Sequence, residues 1–134
     1  MSASSSVLLA IKTELEALTG LPVYPLLLPA DVVEGITYQC VSDPPLETGL
    51  VRTSIVRARF QIRIIILNDY TRLKTLDRQI WSKWQTIRHG FIADFPVQYV
   101  ERGNLRETPT PQTSNQQLYD LLREYFITYV EVSP

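Results

Sequence analysis

Few side chains in this sequence have the types and spacing that catalysis requires. A nucleophilic Ser, Cys or Thr needs a base within hydrogen-bond reach, and the chain has one histidine, His89. His89 falls at the end of a predicted helix, where the helix dipole favours a cation, so we predict a capping role. The one cysteine, Cys40, lies in a strand-like run and is expected to be a small core residue. Glu14 and Glu16, two apart on a predicted helix, point in different directions and do not form an acid–base couple.

Sequence motifs for bound metals, dinucleotides and phosphates are absent. The chain contains no Cys-x-x-Cys, His-Glu-x-x-His, Gly-x-Gly-x-x-Gly or Gly-Lys-Ser/Thr segment. A single cysteine cannot form an intramolecular disulfide, which fits a reducing compartment. We therefore predict no metal, no cofactor, no small-molecule substrate and no enzymatic activity.

The clearest polar pattern is a row of arginines on one face of a predicted strand. Arg57, Arg59 and Arg63 share this face, whereas Phe60 points to the other, apolar side. Such a row can form a subunit interface, pair with carboxylates of a neighbouring strand, or follow the phosphates of a nucleic acid. Sheet proteins that read RNA stack bases on aromatic side chains of the binding face, and Phe60 lies on the opposite face.

The three interpretations of the row involve different residues. The interface hypothesis adds Arg52, Glu47 and Trp81 to the three arginines. Trp81 lies at the border of an apolar helix stripe, and an exposed tryptophan there would be an interface anchor. The pairing hypothesis requires nearby carboxylates, for which Glu101 and Glu124 are the candidates.

Charge is distributed unevenly along the chain. The formal net charge is −1, which argues against a general nucleic-acid binder. Residues 52–88 contain nine Lys or Arg and two Asp, a net +7. Residues 1–51 contain one Lys and six acids (−5), and residues 89–134 contain three Arg and six acids (−3). The acidic ends either fold back beside the basic middle or meet the basic face of another subunit.

Length and composition predict one globular domain, residues 1–134. At 134 residues and 45% hydrophobic content, the chain can bury a core without metals or disulfides. No apolar run approaches the roughly 20 residues that span a bilayer. The sequence that follows Met1 lacks the basic region of a secretory leader. These features predict a soluble, intracellularly made protein with no membrane partner.

Periodicity predicts two helices and about five strands. A serine cap and Gly20 bound the first helix, and apolar residues three and four apart continue the second one towards Gly90. Alternation of apolar and polar residues marks the central strand. The predicted helices span about Ser5–Thr19 and Thr71–His89, and the strands are at about Val23–Pro29, Ile36–Val41, Thr53–Leu67, Pro96–Glu101 and Asp120–Val132.

This order of elements predicts an α+β fold. An antiparallel sheet of four to five strands, with two helices packed on one face, buries the apolar faces most economically. The other face then carries the arginine row. Proline and glycine predict flexible loops near 43–52 and 102–116. Residues 118–125 have helix-like spacing, but the apolar run after them favours a strand.

The same order and local residues resemble the tail completion or tail terminator proteins of long-tailed bacteriophages, which include tail-to-head joining proteins. The resemblance covers nearly the whole chain, although the long 102–115 segment and the spacing at 118–125 depart from the pattern. It rests on the helix ending at Gly20, Pro22-Val-Tyr-Pro, Ile36-Thr-Tyr-Gln, a Pro/Gly loop, Arg57-Ala-Arg-Phe-Gln-Ile-Arg-Ile, a helix beginning near Tyr70-Thr-Arg-Leu, and the hydrophobic C-terminal strand.

The resemblance implies a structural virion protein rather than an enzyme. Such subunits form a hexameric ring that caps the tail tube and joins the tail to the head connector. The implied partners are copies of itself, the tail tube protein and a connector or stopper protein, with DNA passing through the ring without specific binding. The protein would be made in the bacterial cytoplasm and reside in the virion. Two alternatives remain: a nucleic-acid-binding accessory protein that uses strand 52–63, and another neck or tail-tube subunit of the same fold.

Overall fold

A computed structural model describes residues 6–45, 54–111 and 116–131. They form a mixed α+β fold, as the sequence predicts. The elements in chain order are α1 (Val7–Thr19), β1 (Val23–Pro25), β2 (Gly35–Ser42), β3 (Ile55–Leu67), α2 (Tyr70–Trp84), β4 (Arg88–Ile92), β5 (Phe95–Pro111) and β6 (Gln117–Val130).

The strands form one six-stranded sheet in the order β1-β2-β3-β6-β5-β4. The prediction of four to five strands is close but wrong by one, because β4 was not recognised. All neighbouring strands are antiparallel except β1 and β2, which are parallel. The purely antiparallel prediction therefore fails at this edge.

Both helices pack on one face of the sheet. Alternate residues of β3 are buried on the helix side, and Phe60 and Ile62 among them have no exposed surface. Ile11 and Leu15 of α1 and Ile80 of α2 are equally buried in the same core. The apolar side chains that alternate along β3 therefore pack against the apolar stripes of the two helices, as predicted.

Local signals fix the start and end of α1. The Ser6 hydroxyl accepts a hydrogen bond from the Leu8 N–H. Gly20 closes the helix in the left-handed conformation at φ 73°, which a residue without a Cβ adopts at little cost.

Helix α2 ends at Trp84, earlier than predicted. His89 consequently lies in β4 rather than at a helix end, so its predicted capping role is wrong.

The predicted loop at 102–116 is largely strand. β5 continues to Pro111 and pairs with β6 along its length, apart from an irregularity between Arg102 and Leu105. Pro109 and Pro111 lie in a part of β5 whose one strand neighbour among the described residues is β6, and an edge strand tolerates proline. Residues 112–115 lie outside the described residues, as do 46–52 of the other predicted loop. β6 confirms the C-terminal strand and extends it back to Gln117.

Candidate functional site: the bare face of the sheet

The sheet face opposite the helices, here called the bare face, carries three arginine–carboxylate pairs. Strand alternation turns the three arginines of β3 to this face, and antiparallel register brings acidic residues of β5 and β6 beside them. The pairs are Arg57–Glu101, Arg59–Glu124 and Arg63–Asp120. The sequence-based pairing hypothesis is therefore realised within one chain.

The Arg57–Glu101 pair is the most exposed and has two parallel contacts. Arg57 Nε donates to Glu101 Oε2 at 3.0 Å, and Nη2 donates to Oε1 at 3.3 Å. The guanidinium also lies 4.0 Å from the centre of the Phe126 ring. Both charged side chains remain about two-fifths exposed, at 40% and 38%. This planar, stacked arrangement favours arginine over lysine.

The Arg59–Glu124 pair holds a carboxylate that is almost buried. Glu124 is 6% exposed and accepts a hydrogen bond from Arg59 Nε at 2.8 Å. Burial alone would raise the pKa of Glu124, but hydrogen bonds from Arg59 and Gln61 outweigh it and hold the pKa below its ordinary value. Glu124 therefore stays ionised and depends on Arg59 for compensation.

In the third pair, burial of the carboxylate has a larger effect on its pKa than the neighbouring arginine has. Arg63 Nε lies 3.1 Å from Asp120 Oδ1. Burial of Asp120 outweighs the attraction of Arg63, and the pKa of Asp120 is raised. The pKa values of Glu124 and Asp120, two carboxylates on β6, are thus shifted in opposite directions.

The positive charges of the arginine row are neutralised by carboxylates of the same chain. Each of the row's three cations has an anion at contact distance, so the row itself is not an uncompensated positive stripe of the kind that binds phosphates. It presents instead a fixed alternation of charges. Such a pattern suits recognition of a protein surface with the complementary order of charges.

The close approach of β5 to β6 at this site favours a glycine. A Cβ placed on Gly103 would lie 3.0 Å from Phe126 Cε2 and 3.2 Å from Glu124 Cβ. Gly103 sits at the register shift of β5 between Arg102 and Leu105, where the absence of a side chain leaves room for Phe126 and Glu124. The β5 backbone can therefore approach the Glu124 side chain that pairs with Arg59.

The structure does not gather all six predicted interface residues. Arg57, Arg59 and Arg63 lie together, whereas Arg52 and Glu47 fall outside the described residues. Trp81 lies on the helix side of the sheet, half-buried, with the Arg102 guanidinium 5.0 Å from its ring centre. Trp81 and the arginine row therefore lie on opposite faces of the sheet.

Sequence reasoning named Glu101 and Glu124 as partners but missed Asp120 and Phe126. The signal was present, because Asp120, Glu124 and Phe126 share one parity along a strand. All three lie in the predicted strand Asp120–Val132, but the arginines that they face depend on the register between β3 and β6.

The residues considered for catalysis are dispersed. His89 Nδ1 lies 2.6 Å from Gln98 Oε1 on an exposed strand pair. Burial, reinforced by Asp43, raises the pKa of the Cys40 thiol, which keeps it protonated and weakly nucleophilic. Among residues 6–45, 54–111 and 116–131, no group of three His, Cys, Asp or Glu side chains is placed to hold a metal ion.

A further feature concerns membranes. Within the described ranges, neither helix has the length and apolar character needed to cross a bilayer.

Comparisons with known proteins give only distant likenesses. No family model and no curated protein matches the chain. One solved structure, which bears no functional name, matches at 10% identity and a TM-score of 0.49, covering 90% of this chain and 89% of its own. A chain from the virion of a native gene transfer agent particle matches at 12% identity and a TM-score of 0.45, covering 96% and 98%. Likenesses at this level do not establish a shared function.

Proposed function

We propose that this protein is a structural virion subunit that caps a phage tail tube as a ring and joins the tail to the head connector. The observation that carries the proposal is the bare sheet face with its three internally paired arginines. The sequence resemblance to tail terminator proteins supports the same role.

The sheet also has the asymmetry that a ring requires. One edge is β1, a strand of three residues, and the other is formed by β4 and the long β5. A heterologous, head-to-tail contact joins two different surfaces of each subunit, and rings are built from such contacts. Two dissimilar edges supply two different surfaces.

The Arg57–Glu101 pair is suited to docking on a partner rather than to stabilising the fold, because both of its side chains are about two-fifths exposed. Exposed ion pairs contribute about 0 to 1 kcal/mol to folding. Held in place by their carboxylates, the arginines of the row present charges whose positions are set before the partner arrives. Fixed charges select the register of a partner and reject wrong dockings.

Exchanging the charges of one pair tests this role. In Arg57→Glu/Glu101→Arg the two charges swap places, and because both side chains are about two-fifths exposed the fold should survive. We expect normal melting but loss of tail capping in negative-stain images of tail tubes, for the double variant as for Arg57→Glu. Lys12→Glu, which breaks a similarly exposed pair on α1, is the matched control.

The outcomes separate the candidate roles. If the double variant caps tails normally while Arg57→Glu does not, the pair is purely structural. Salt-dependent binding of single-stranded nucleic acid would favour the accessory-protein alternative. Binding along the tube, rather than at its end, would favour another neck or tail-tube subunit.

A further inference from the structure

A strained turn directs two leucines into solvent at the β1 edge of the sheet. Leu27 N–H donates to Pro25 O at 2.7 Å, closing a three-residue turn around Leu26 at φ 67°. A positive φ is an outlier for a bulky side chain, and γ-turns of this sign are rare. Leu26 is 58% and Leu27 is 75% exposed. We call these two residues the leucine knob.

At the opposite edge of the sheet, a segment of β5 in register with Pro25 has no second strand neighbour, either in β4 or in any other described strand. Pro25 lies in a row of paired residues that crosses all the central strands and ends at Leu105 of β5. β4 pairs with β5 only as far as Tyr99, so in the described part of the chain Leu105–Thr108 has a strand neighbour on one side alone. Leu105 is 40% exposed.

An apolar recess adjoins this open segment. Tyr70 and Leu73 of α2 and Tyr119 of β6 line a cavity of about 160 Å³, which Glu107, Thr108 and Asp120 also border. A cavity of roughly 150 Å³ with apolar walls accepts a molecule the size of benzene. The recess therefore has room for a branched aliphatic side chain.

Charge near the two edges is also complementary. Asp31 follows the leucine knob in the loop to β2, and Arg106 lies in the open segment; both are exposed. Neither has an ion-pair partner among the residues that the structure describes. Opposite charges on two edges of the same chain favour contact between copies.

We infer that the leucine knob of one copy docks against the open β5 segment, Leu105–Thr108, of the next copy. The contact joins unlike surfaces and so propagates head to tail. It names the lateral contact of the proposed ring and in that sense rests on the proposed function. A second copy of this chain is the occupant, since knob, recess and complementary charges occur on one molecule at opposite edges.

Disulfide trapping tests the contact directly. In a Cys40→Ser background, Leu27→Cys and Leu105→Cys are combined in one chain, and the protein is oxidised at millimolar concentration. Two cysteines within one chain at opposite edges cannot reach each other, because a disulfide needs Cα atoms about 4.4 to 6.8 Å apart. We expect a ladder of bands at multiples of 15.4 kDa. Leu9→Cys with Leu105→Cys is the control, because Leu9 is similarly exposed but lies on α1.

A second pair of variants checks the charges. We expect Asp31→Arg or Arg106→Asp, each added to the trapping variant, to reduce the ladder, and the exchange of both to restore it. The inference is overturned if the Leu27/Leu105 pair cross-links no more than the control. Tail capping without this cross-link would refute the inference alone, and a cross-linked ladder from a protein that fails to cap tails would refute the proposed function alone.

Discussion

The buried ion pair between Asp77 of α2 and Arg123 of β6 should be the most sensitive polar contact in the fold. Arg123 Nη2 donates to Asp77 Oδ2 at 2.9 Å, and Nε approaches Oδ1 at 3.3 Å. The two side chains are only 11% and 7% exposed. Removing one partner of such a pair costs about 3 to 5 kcal/mol, because the other charge remains buried without compensation. That is a large part of the roughly 5 to 15 kcal/mol that stabilises a typical domain.

Urea unfolding of three variants measures this effect. We expect Arg123→Leu and Asp77→Leu each to lower the free energy of unfolding by about 3 to 5 kcal/mol, and Asp77→Leu/Arg123→Met to recover most of the loss. Lys12→Ala, at an exposed pair 3.0 Å apart on α1, should cost no more than about 0.5 kcal/mol. If Arg123→Leu were as mild as Lys12→Ala, the assignment of this contact to the core would be wrong.

Three further predictions concern the core, a turn and the bare face. Phe60 has no exposed surface, so Phe60→Ala should cost about 3 to 5 kcal/mol in urea unfolding; an unchanged midpoint would refute the assignment of the buried face. Ala93 adopts φ 52° between β4 and β5, so Ala93→Gly should stabilise by up to about 1 kcal/mol and raise the melting temperature; a fall would show that the turn is not strained. The lowered pKa of Glu124 contributes stability that is present above its unfolded pKa and lost as the pH falls through its folded pKa, so Glu124→Gln should destabilise at neutral pH and less in acid. The raised pKa of Asp120 acts in reverse, with stability present below its unfolded pKa and lost as the pH rises through its folded pKa, so Asp120→Asn should be no less stable than the native chain at neutral pH. Parallel stability–pH curves for these two variants would contradict the opposite shifts.

Strong local patterns made much of the fold predictable from the sequence. The alternation in β3 identified the buried face, and the serine cap and Gly20 located α1. The errors occurred where long-range pairing overrode local signals. Residues 88–92 form a strand because they pair with β5, although the apolar spacing before them continues a helical pattern. Prolines 109 and 111 lie in a strand that has, among the described residues, only β6 as a neighbour at that point, and such an edge position tolerates proline.

The candidate site was predictable in its arginines but not in its organisation. Strand alternation placed Arg57, Arg59 and Arg63 on one face without knowledge of the fold. Their pairing depends on the register of β3 with β6 and of β6 with β5, which joins residues more than 40 positions apart. The leucine knob was not predicted at all, because a positive φ at Leu26 carries no signature in residue type.

The ion pairs of the bare face and the leucine knob would contribute differently to assembly. A partner that competes for Arg57 must break or share an existing ion pair, so the net gain in affinity is small, while a mismatched partner meets repulsion. An exposed leucine transferred into an apolar recess gains roughly 25 cal/mol for each Å² buried and breaks no existing pair. The edge contact should therefore supply most of the lateral affinity, and the bare face the choice of partner. Such a division predicts that Leu27→Asp weakens contacts between copies at any salt concentration, whereas Arg57→Glu changes which surface is accepted and does so most strongly at low salt. Sedimentation of both variants over a range of salt concentrations would distinguish the two roles, and equal salt dependence would show that one surface performs both.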